Sequence, residues 1–214
     1  HNMDKLGKAE ITNNIYALMV QTWDGSQNIK TSRLEASNKY PAIFTKVAQG
    51  NPGASNNVFV QLGMYWQLHL AYDDGYNYKT YEDHQTQLDS LFFARVDSYA
   101  RKPDRAPKPG NVALTLPGDT DQNLMRLACA AAKKNLLEFF TRWGMTPDAG
   151  TIAYAEQFEK EERAIYYAND EARVYQLTHS GSSGKNANVL QADRNYKDNN
   201  AKGNQVEIRL SAPG

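Results

Sequence analysis

The sequence has a single cysteine, no excess charge of either sign and no long apolar run. Because Cys129 stands alone, no disulfide can form within the chain, and its place in an alanine-rich segment is typical of a small buried residue. The 24 acidic and 24 basic side chains cancel, so the chain lacks the positive surface expected of a nucleic-acid or anionic-membrane binder. No stretch reaches the roughly 18 apolar residues of a membrane span. An ordinary globular domain is the simplest interpretation.

Sequence motifs of several enzyme classes are also missing. The chain contains no glycine-rich phosphate loop, no Gly-x-Ser-x-Gly and no His-Glu-x-x-His. The acidic stretch at 73–78 has Gln85 where a calcium loop requires its closing glutamate, which excludes an EF-hand. Four histidines occur, and none begins a zinc motif: His1, His69, His84 and His179.

Helical periodicity is what the sequence has instead. Apolar residues recur at i, i+3 and i+4 up to about residue 157, and turn-forming residues separate the periodic segments. Asp119 or Thr120 is expected to cap one helix, and Gly144 to end another. We predict helices at 8–23, 38–49, 56–72, 80–101, 120–134, 136–143 and 149–157. Large side chains from these helices should form the core: Trp66, Phe92, Leu127, Phe140 and Trp143.

The pattern changes after about residue 165. Alternating residues at 173–178 and 205–211 predict strands, whereas the polar stretch 24–37 and the proline-rich stretch 102–110 predict loops. We therefore predict a mainly α fold. A helical bundle would occupy residues 1–165, and residues 166–214 would form a short β tail, either a small appendage or the start of a β-sandwich.

The first predicted helix combines an apolar face with an acidic residue at its start. Ile11, Ile15 and Leu18 share the apolar face, whereas Glu10 and Asn14, four residues apart, share another stripe. This spacing suits a zinc site, where the carboxylate binds the metal and the next turn orients a metal-bound histidine. The alternative is that Glu10 only complements the helix dipole and Asn14 is merely exposed.

Four segments, at 10–18, 59–68, 123–131 and 136–144, resemble in the same order segments of a known family, the enhancin-like metallopeptidases, which are gluzincins that degrade mucins and glycoproteins. Segment 10–18, Glu-Ile-Thr-Asn-Asn-Ile-Tyr-Ala-Leu, resembles the helix that follows the zinc-binding helix in that family. Segments 59–68 and 123–131 resemble later helices. Segment 136–144 is similar to the family's Leu-x-x-Phe-Phe-x-x-Trp-Gly turn. The resemblance covers roughly residues 1–178, and its specificity lies in the ordered set of segments.

The resemblance implies a secreted or cell-surface zinc metallopeptidase that acts on mucin-like, O-glycosylated proteins. Glu10 would be a zinc ligand, with Asn14 supporting the site. Because the His-Glu-x-x-His motif is absent, the chain is expected to be the C-terminal part of a catalytic domain (the C-terminal subdomain of a gluzincin-type protease), inactive alone and weak in zinc binding. His1 would then be the second zinc histidine; the alternative is that the first residues are a remnant of cloning.

Aromatic residues on the third predicted helix suggest a substrate contact. Tyr65, Trp66 and His69 lie along one stripe and would form a wall of the substrate cleft, where a ring could stack on a sugar. The alternative is that His69 is a hydrogen-bonded histidine at the margin of the core. The competing function for the whole chain is a non-enzymatic glycan-binding or adhesion module, which would need aromatic rings exposed on one surface.

Overall fold

The computed structural model describes residues 9–22, 32–49, 57–73 and 91–170. Within these ranges the chain forms eight α-helices and two 3₁₀ turns, which confirms the mainly α fold. The predicted strands at 173–178 and 205–211, and with them the β tail, lie outside the described residues. The helices are α1 Ala9–Thr22, α2 Arg33–Ala36, α3 Tyr40–Gln49, α4 Val58–Tyr72, α5 Phe92–Arg101, α6 Thr120–Ala132, α7 Leu137–Arg142 and α8 Ala149–Ala155; the 3₁₀ turns are Pro103–Arg105 and Ile165–Tyr167.

Helix α4 lies at the centre of the first half of the bundle. It is apolar on nearly every side, as expected of a buried helix, and most of it between Val60 and Leu70 is buried. Helices α1, α3 and α5 pack around it. Where α3 and α4 meet, a Cβ built on Gly63 would lie 2.5 Å from the Cδ1 atom of Ile43. Glycine at this position therefore lets the two helices approach closely.

Helix α6 organises the second half. The Asp119 side chain accepts hydrogen bonds from the main-chain N–H groups of Asp121 and Gln122, at 2.9 and 3.1 Å, so the predicted cap is confirmed. The small residues at 128–131 are buried, and α5 and α8 pack against this helix. Beyond α7, Gly144 has a φ of 83°, which confirms the glycine predicted to end that helix.

After α8 the chain returns along the bundle. The main chain of Asn135 forms a parallel bridge with Lys160. Further on, the Gln67 side chain donates a hydrogen bond of 2.6 Å to the carbonyl of Tyr166, and Ile165 and Asp170 are buried. Residues 166–170, which the sequence pattern assigned to the tail, therefore pack on the helical unit.

Two elements differ from the expectation. Helix α2 falls inside the predicted loop 24–37. The helix has four residues, of which only Leu34 is buried, and the side chain of its N-cap Ser32 makes no capping hydrogen bond. The sequence therefore contains neither the apolar periodicity nor the cap that would predict this helix. The second element is the helix predicted at 80–101: residues 80–90 lie outside the described residues, and Leu91 is extended, with φ −71° and ψ 138°, so that α5 begins at Phe92.

The predicted core is confirmed. Its five large side chains come from several helices, and each is at most 4% exposed: Trp66, Phe92, Leu127, Phe140 and Trp143. Among the helices of the described residues, none has both the length and the apolar character of a membrane span.

Candidate metal site

Helix α1 presents Glu10 to solvent. Ile11, Ile15 and Leu18 are at most 3% exposed and pack into the core, while Glu10 in the first turn is exposed. The helical period explains this outcome, since Glu10 falls beside the stripe of Ile11, Ile15 and Leu18 and not within it. The predicted orientation of the helix is confirmed, and the Glu10 carboxylate is accessible to a ligand.

Asn14 is tied to its own helix. Its side-chain Nδ2 donates a hydrogen bond of 2.7 Å to the main-chain carbonyl of Glu10, one turn earlier. That bond orients the amide and leaves the side-chain oxygen as the atom that could accept from an imidazole N–H. Asn14 therefore has a geometry compatible with the predicted role, and the role itself stays a prediction.

The remaining ligands are not among the described residues. No group of three His, Cys, Asp or Glu side chains that could hold a metal occurs within the ranges 9–22, 32–49, 57–73 and 91–170. His1, His84 and His179 lie outside those ranges. The described part fits a zinc site only as the donor of one carboxylate ligand, Glu10.

The predicted substrate contacts lie in the core. Tyr65, Trp66 and His69 are at most 2% exposed. The rings of Trp66 and His69 stack with their centroids 4.6 Å apart, and His69 Nδ1 lies 3.0 Å from Asp73 Oδ2. A ring without an exposed face cannot stack on a sugar, so a cleft-wall role does not fit this placement. The reason is that α4 is covered by other helices on almost every side.

Tyr65 is held as a neutral phenol. Burial, followed by the nearby charge of Asp121, raises the pKa of Tyr65 above its usual range. Its ring packs against that of Phe93 with the centroids 6.5 Å apart. These contacts are those of a core residue, which agrees with its role in packing α4 against α5.

Sequence reasoning missed Asp170. Its buried carboxylate accepts hydrogen bonds from the indole of Trp66 at 2.6 Å, from the Ser32 hydroxyl at 2.6 Å and from the Tyr40 hydroxyl at 3.2 Å. A buried indole N–H usually needs an acceptor, and that was the only local signal. Nothing near Trp66 in the sequence indicates that the acceptor lies 104 residues away.

Cys129 is not a nucleophile. Its side chain is fully buried, and burial, opposed by a hydrogen bond from the Leu136 main chain, raises the pKa of the thiol to about 12. Because the thiolate is the reactive form, such a thiol is inert at neutral pH. The prediction of a small buried residue is confirmed.

Comparisons with known proteins bear on the same region. The family model described as peptidase M60, enhancin and enhancin-like, matches residues 3–144. None of the curated proteins compared with the chain matches it. Two solved structures from Bacillus anthracis str. Ames are similar, each with a TM-score of 0.57: a conserved protein of unknown function at 26% identity and a mutant at 25%. The matches cover 78% and 80% of this chain, but the chain spans only 31% of each solved chain.

Proposed function

Since the chain belongs to the enhancin and enhancin-like family of M60 peptidases, we propose that it forms the part of a zinc metallopeptidase that supplies the Glu10 ligand. The observation that carries this proposal is the placement of Glu10. Its carboxylate is exposed in the first turn of a helix whose apolar face is buried, so it projects from a firmly packed support. Asn14 and, on the evidence of the sequence alone, His1 are its proposed companions.

The proposed substrate is a mucin-like, O-glycosylated protein, and the proposed location is secreted or on the cell surface. Both come from the family resemblance. When bound, zinc would lower the pKa of a water molecule and polarise the scissile carbonyl. This chain's own contribution is to hold one ligand in a fixed direction.

We propose that the chain is inactive alone. The sequence contains no His-Glu-x-x-His, so it lacks the glutamate that would act as general base and at least one histidine ligand. Catalytic groups that act as a unit lose nearly all their effect when one is missing. The purified chain should therefore leave mucin and casein intact, and chelator-sensitive cleavage above background would contradict this.

Zinc titration of the purified chain tests the assignment of Glu10. Zinc binding by calorimetry should be weak, because a structural or catalytic site normally uses at least three protein ligands. Glu10→Ala should abolish that binding, whereas Glu156→Ala, which removes another exposed glutamate at the end of α8, should leave it unchanged. Equal zinc affinity in the parent chain and Glu10→Ala would remove Glu10 from the proposed site.

A glycan-binding module is the second candidate, and the described residues do not favour it. It requires aromatic rings grouped on one surface. Among the described aromatic residues, only Tyr16 and Phe59 count as exposed, at 37% and 36%. Phe59 is accompanied by the Lys39 ammonium, 5.7 Å from its ring centroid. Such isolated rings are ordinary on a protein surface.

A further inference from the structure

Asp170 gathers hydrogen bonds from three separate elements. Its Oδ2 accepts from the main-chain N–H and the hydroxyl of Ser32, at 2.8 and 2.6 Å, and Ser32 is the N-cap of α2. Its Oδ1 accepts from Trp66 in the middle of α4 and from Tyr40, the first residue of α3. The carboxylate is only 3% exposed. One side chain thus joins α2, α3 and α4 at a single buried point.

All four partners are donors, which suits an ionised carboxylate, because that form only accepts. Within the described ranges no Lys or Arg forms an ion pair with Asp170, and its hydrogen-bond donors are the neutral groups of Ser32, Tyr40 and Trp66. Burial, followed by the charge of Asp170, raises the pKa of Tyr40 well above its usual range, which keeps that phenol a donor. All four hydrogen bonds of this Asp170 cluster, which consists of Asp170, Ser32, Tyr40 and Trp66, therefore form only while a carboxylate is present.

Further contacts connect Trp66, one of the partners of Asp170, to the helices around α4. Trp66 stacks on His69, His69 pairs with Asp73, and Asp73 accepts a hydrogen bond from the main-chain N–H of Phe92 at the start of α5. Helix α4 also packs against α1, the helix that carries Glu10. The direction of the Glu10 carboxylate therefore depends on how firmly α4 is held.

We infer that Asp170 is a positioning residue for the Glu10 carboxylate. It acts through Trp66 and α4 and touches neither the metal nor the substrate. The inference rests on the proposed zinc role of Glu10, and it assigns a supporting function to a residue beyond the 3–144 region matched by the family model.

Distances between spin labels test the positioning directly, without metal. Because Cys129 is buried and its thiol stays protonated, labels attach only to introduced cysteines. One pair, Asn13→Cys with Ile152→Cys, reports on α1 relative to α8. A second pair, Lys133→Cys with Ile152→Cys, reports on α6 relative to α8, two helices that Arg126 joins and that form no hydrogen bond with Asp170 among the described residues. The distances of both pairs would be measured well below the melting temperature.

Asp170→Asn keeps the size of the side chain but replaces one carboxylate oxygen by an amide NH₂ group. That group is itself a donor, so it cannot accept the two hydrogen bonds that the replaced oxygen accepted. We expect the α1 distance distribution to broaden or shift, while the second pair stays as in the parent chain. The matched control Asp104→Asn, an exposed aspartate in the 3₁₀ turn, should change neither. An unchanged α1 distribution in folded Asp170→Asn would overturn the inference, and so would equal broadening of both pairs, which indicates general loosening.

A milder variant covers the case in which Asp170→Asn does not fold. Trp66→Phe removes the indole donor together with part of the ring system and keeps a buried aromatic ring, and it should broaden the α1 distances in the same direction. Failure of Trp66→Phe to affect α1 would then count against the inference.

Zinc titration separates this inference from the proposed function. If both hold, Asp170→Asn should weaken zinc binding about tenfold, the lower end of the loss seen for groups that orient ligands. If α1 moves in Asp170→Asn but Glu10→Ala binds zinc normally, Asp170 positions the helix and the zinc role of Glu10 is wrong. If Glu10→Ala abolishes binding and Asp170→Asn leaves both binding and α1 unchanged, Glu10 is a ligand and the positioning role is wrong.

Discussion

Arg126 uses its charge entirely for structure. The side chain is 5% exposed, and its guanidinium donates from Nε to the Thr151 hydroxyl at 2.8 Å and from one terminal nitrogen to the Thr115 hydroxyl at 2.6 Å. The other terminal nitrogen lies 2.9 Å from Asp148. Three nitrogens thus reach three directions, which only the planar fork of arginine can do. This residue ties α6 to the start of α8 and to the segment before α6.

Arg126→Met should therefore lower the free energy of unfolding by about 2–3 kcal/mol, because it removes several charge-assisted hydrogen bonds made by a buried side chain, including the bond to the buried Thr151 hydroxyl. Arg126→Lys should recover only part of the loss. Urea denaturation measures the effect. The control is Lys134→Met, which removes an exposed pair with Glu159 and should change stability too little to detect. A parent-like midpoint for Arg126→Met would show that the network contributes nothing.

The buried thiol of Cys129 predicts a loss of stability at alkaline pH. Its pKa is raised from 9.0 to about 12 in the folded chain, so above pH 9 the unfolded chain releases a proton that the folded chain retains. The contribution of this thiol to the free energy of unfolding is therefore fully present below pH 9. It is lost as the pH rises above 9, by up to about 1.4 kcal/mol per pH unit. Cys129→Ala should flatten this slope between about pH 9 and 10, before tyrosine ionisation contributes. Equal slopes in urea titrations at these pH values would contradict the assignment.

At the scale of elements, the contact between α3 and α4 depends on one missing side chain. A Cβ at Gly63 would lie 2.5 Å from Cδ1 and 2.9 Å from Cγ1 of Ile43, distances at which one of the helices or the isoleucine must move. Both partners are fully enclosed, so little room exists for such movement. Helix propensity alone would predict the opposite, since alanine is the better helix former.

Gly63→Ala should therefore destabilise the protein by about 1–2 kcal/mol in spite of its gain in helix propensity. The loss should shrink in an Ile43→Val background, because valine lacks the Cδ1 atom that the new Cβ would meet. A double-mutant cycle by thermal denaturation measures the coupling. Stabilisation by Gly63→Ala, or purely additive effects, would mean that the two helices are free to move apart.

At the scale of the whole molecule, the helical unit extends past the region matched by the family model. Residues up to Asp170 close the bundle through the Asn135–Lys160 bridge, the bonds from Gln67 and the burial of Ile165. A variant that stops after Ala172 retains these contacts, whereas one that stops after Glu159 loses nearly all of them. The difference between the two variants isolates the contribution of the returning segment.

We expect the variant ending at Ala172 to unfold in one cooperative transition. The variant ending at Glu159 should be less stable by at least about 3 kcal/mol, because it loses the burial of Ile165 and Tyr166 as well as the Asp170 cluster. Far-UV circular dichroism during urea denaturation compares them. Matching midpoints would show that the bundle is complete before residue 160 and that its later contacts are incidental.

The sequence by itself determined the elements that depend on near neighbours. Helical periodicity located most of the helices, Asp119 and Gly144 marked two helix ends, and the stripe of Ile11, Ile15 and Leu18 set which way Glu10 points. These features follow from residues one to four positions apart, since capping and amphipathic spacing are local. The ordered resemblance of the helical segments also led to the family that the comparison found.

Only the tertiary structure decided what lies inside. A stripe of Tyr65, Trp66 and His69 has the spacing of a cleft wall and equally that of a core, and the choice depended on which helices cover α4. The short α2 and the buried Asp170 were likewise invisible, because Ser32 and Asp170 are 138 residues apart and neither carries a local pattern. Such a cluster forms because buried donors require an acceptor, and chain folding alone determines which distant residue supplies it.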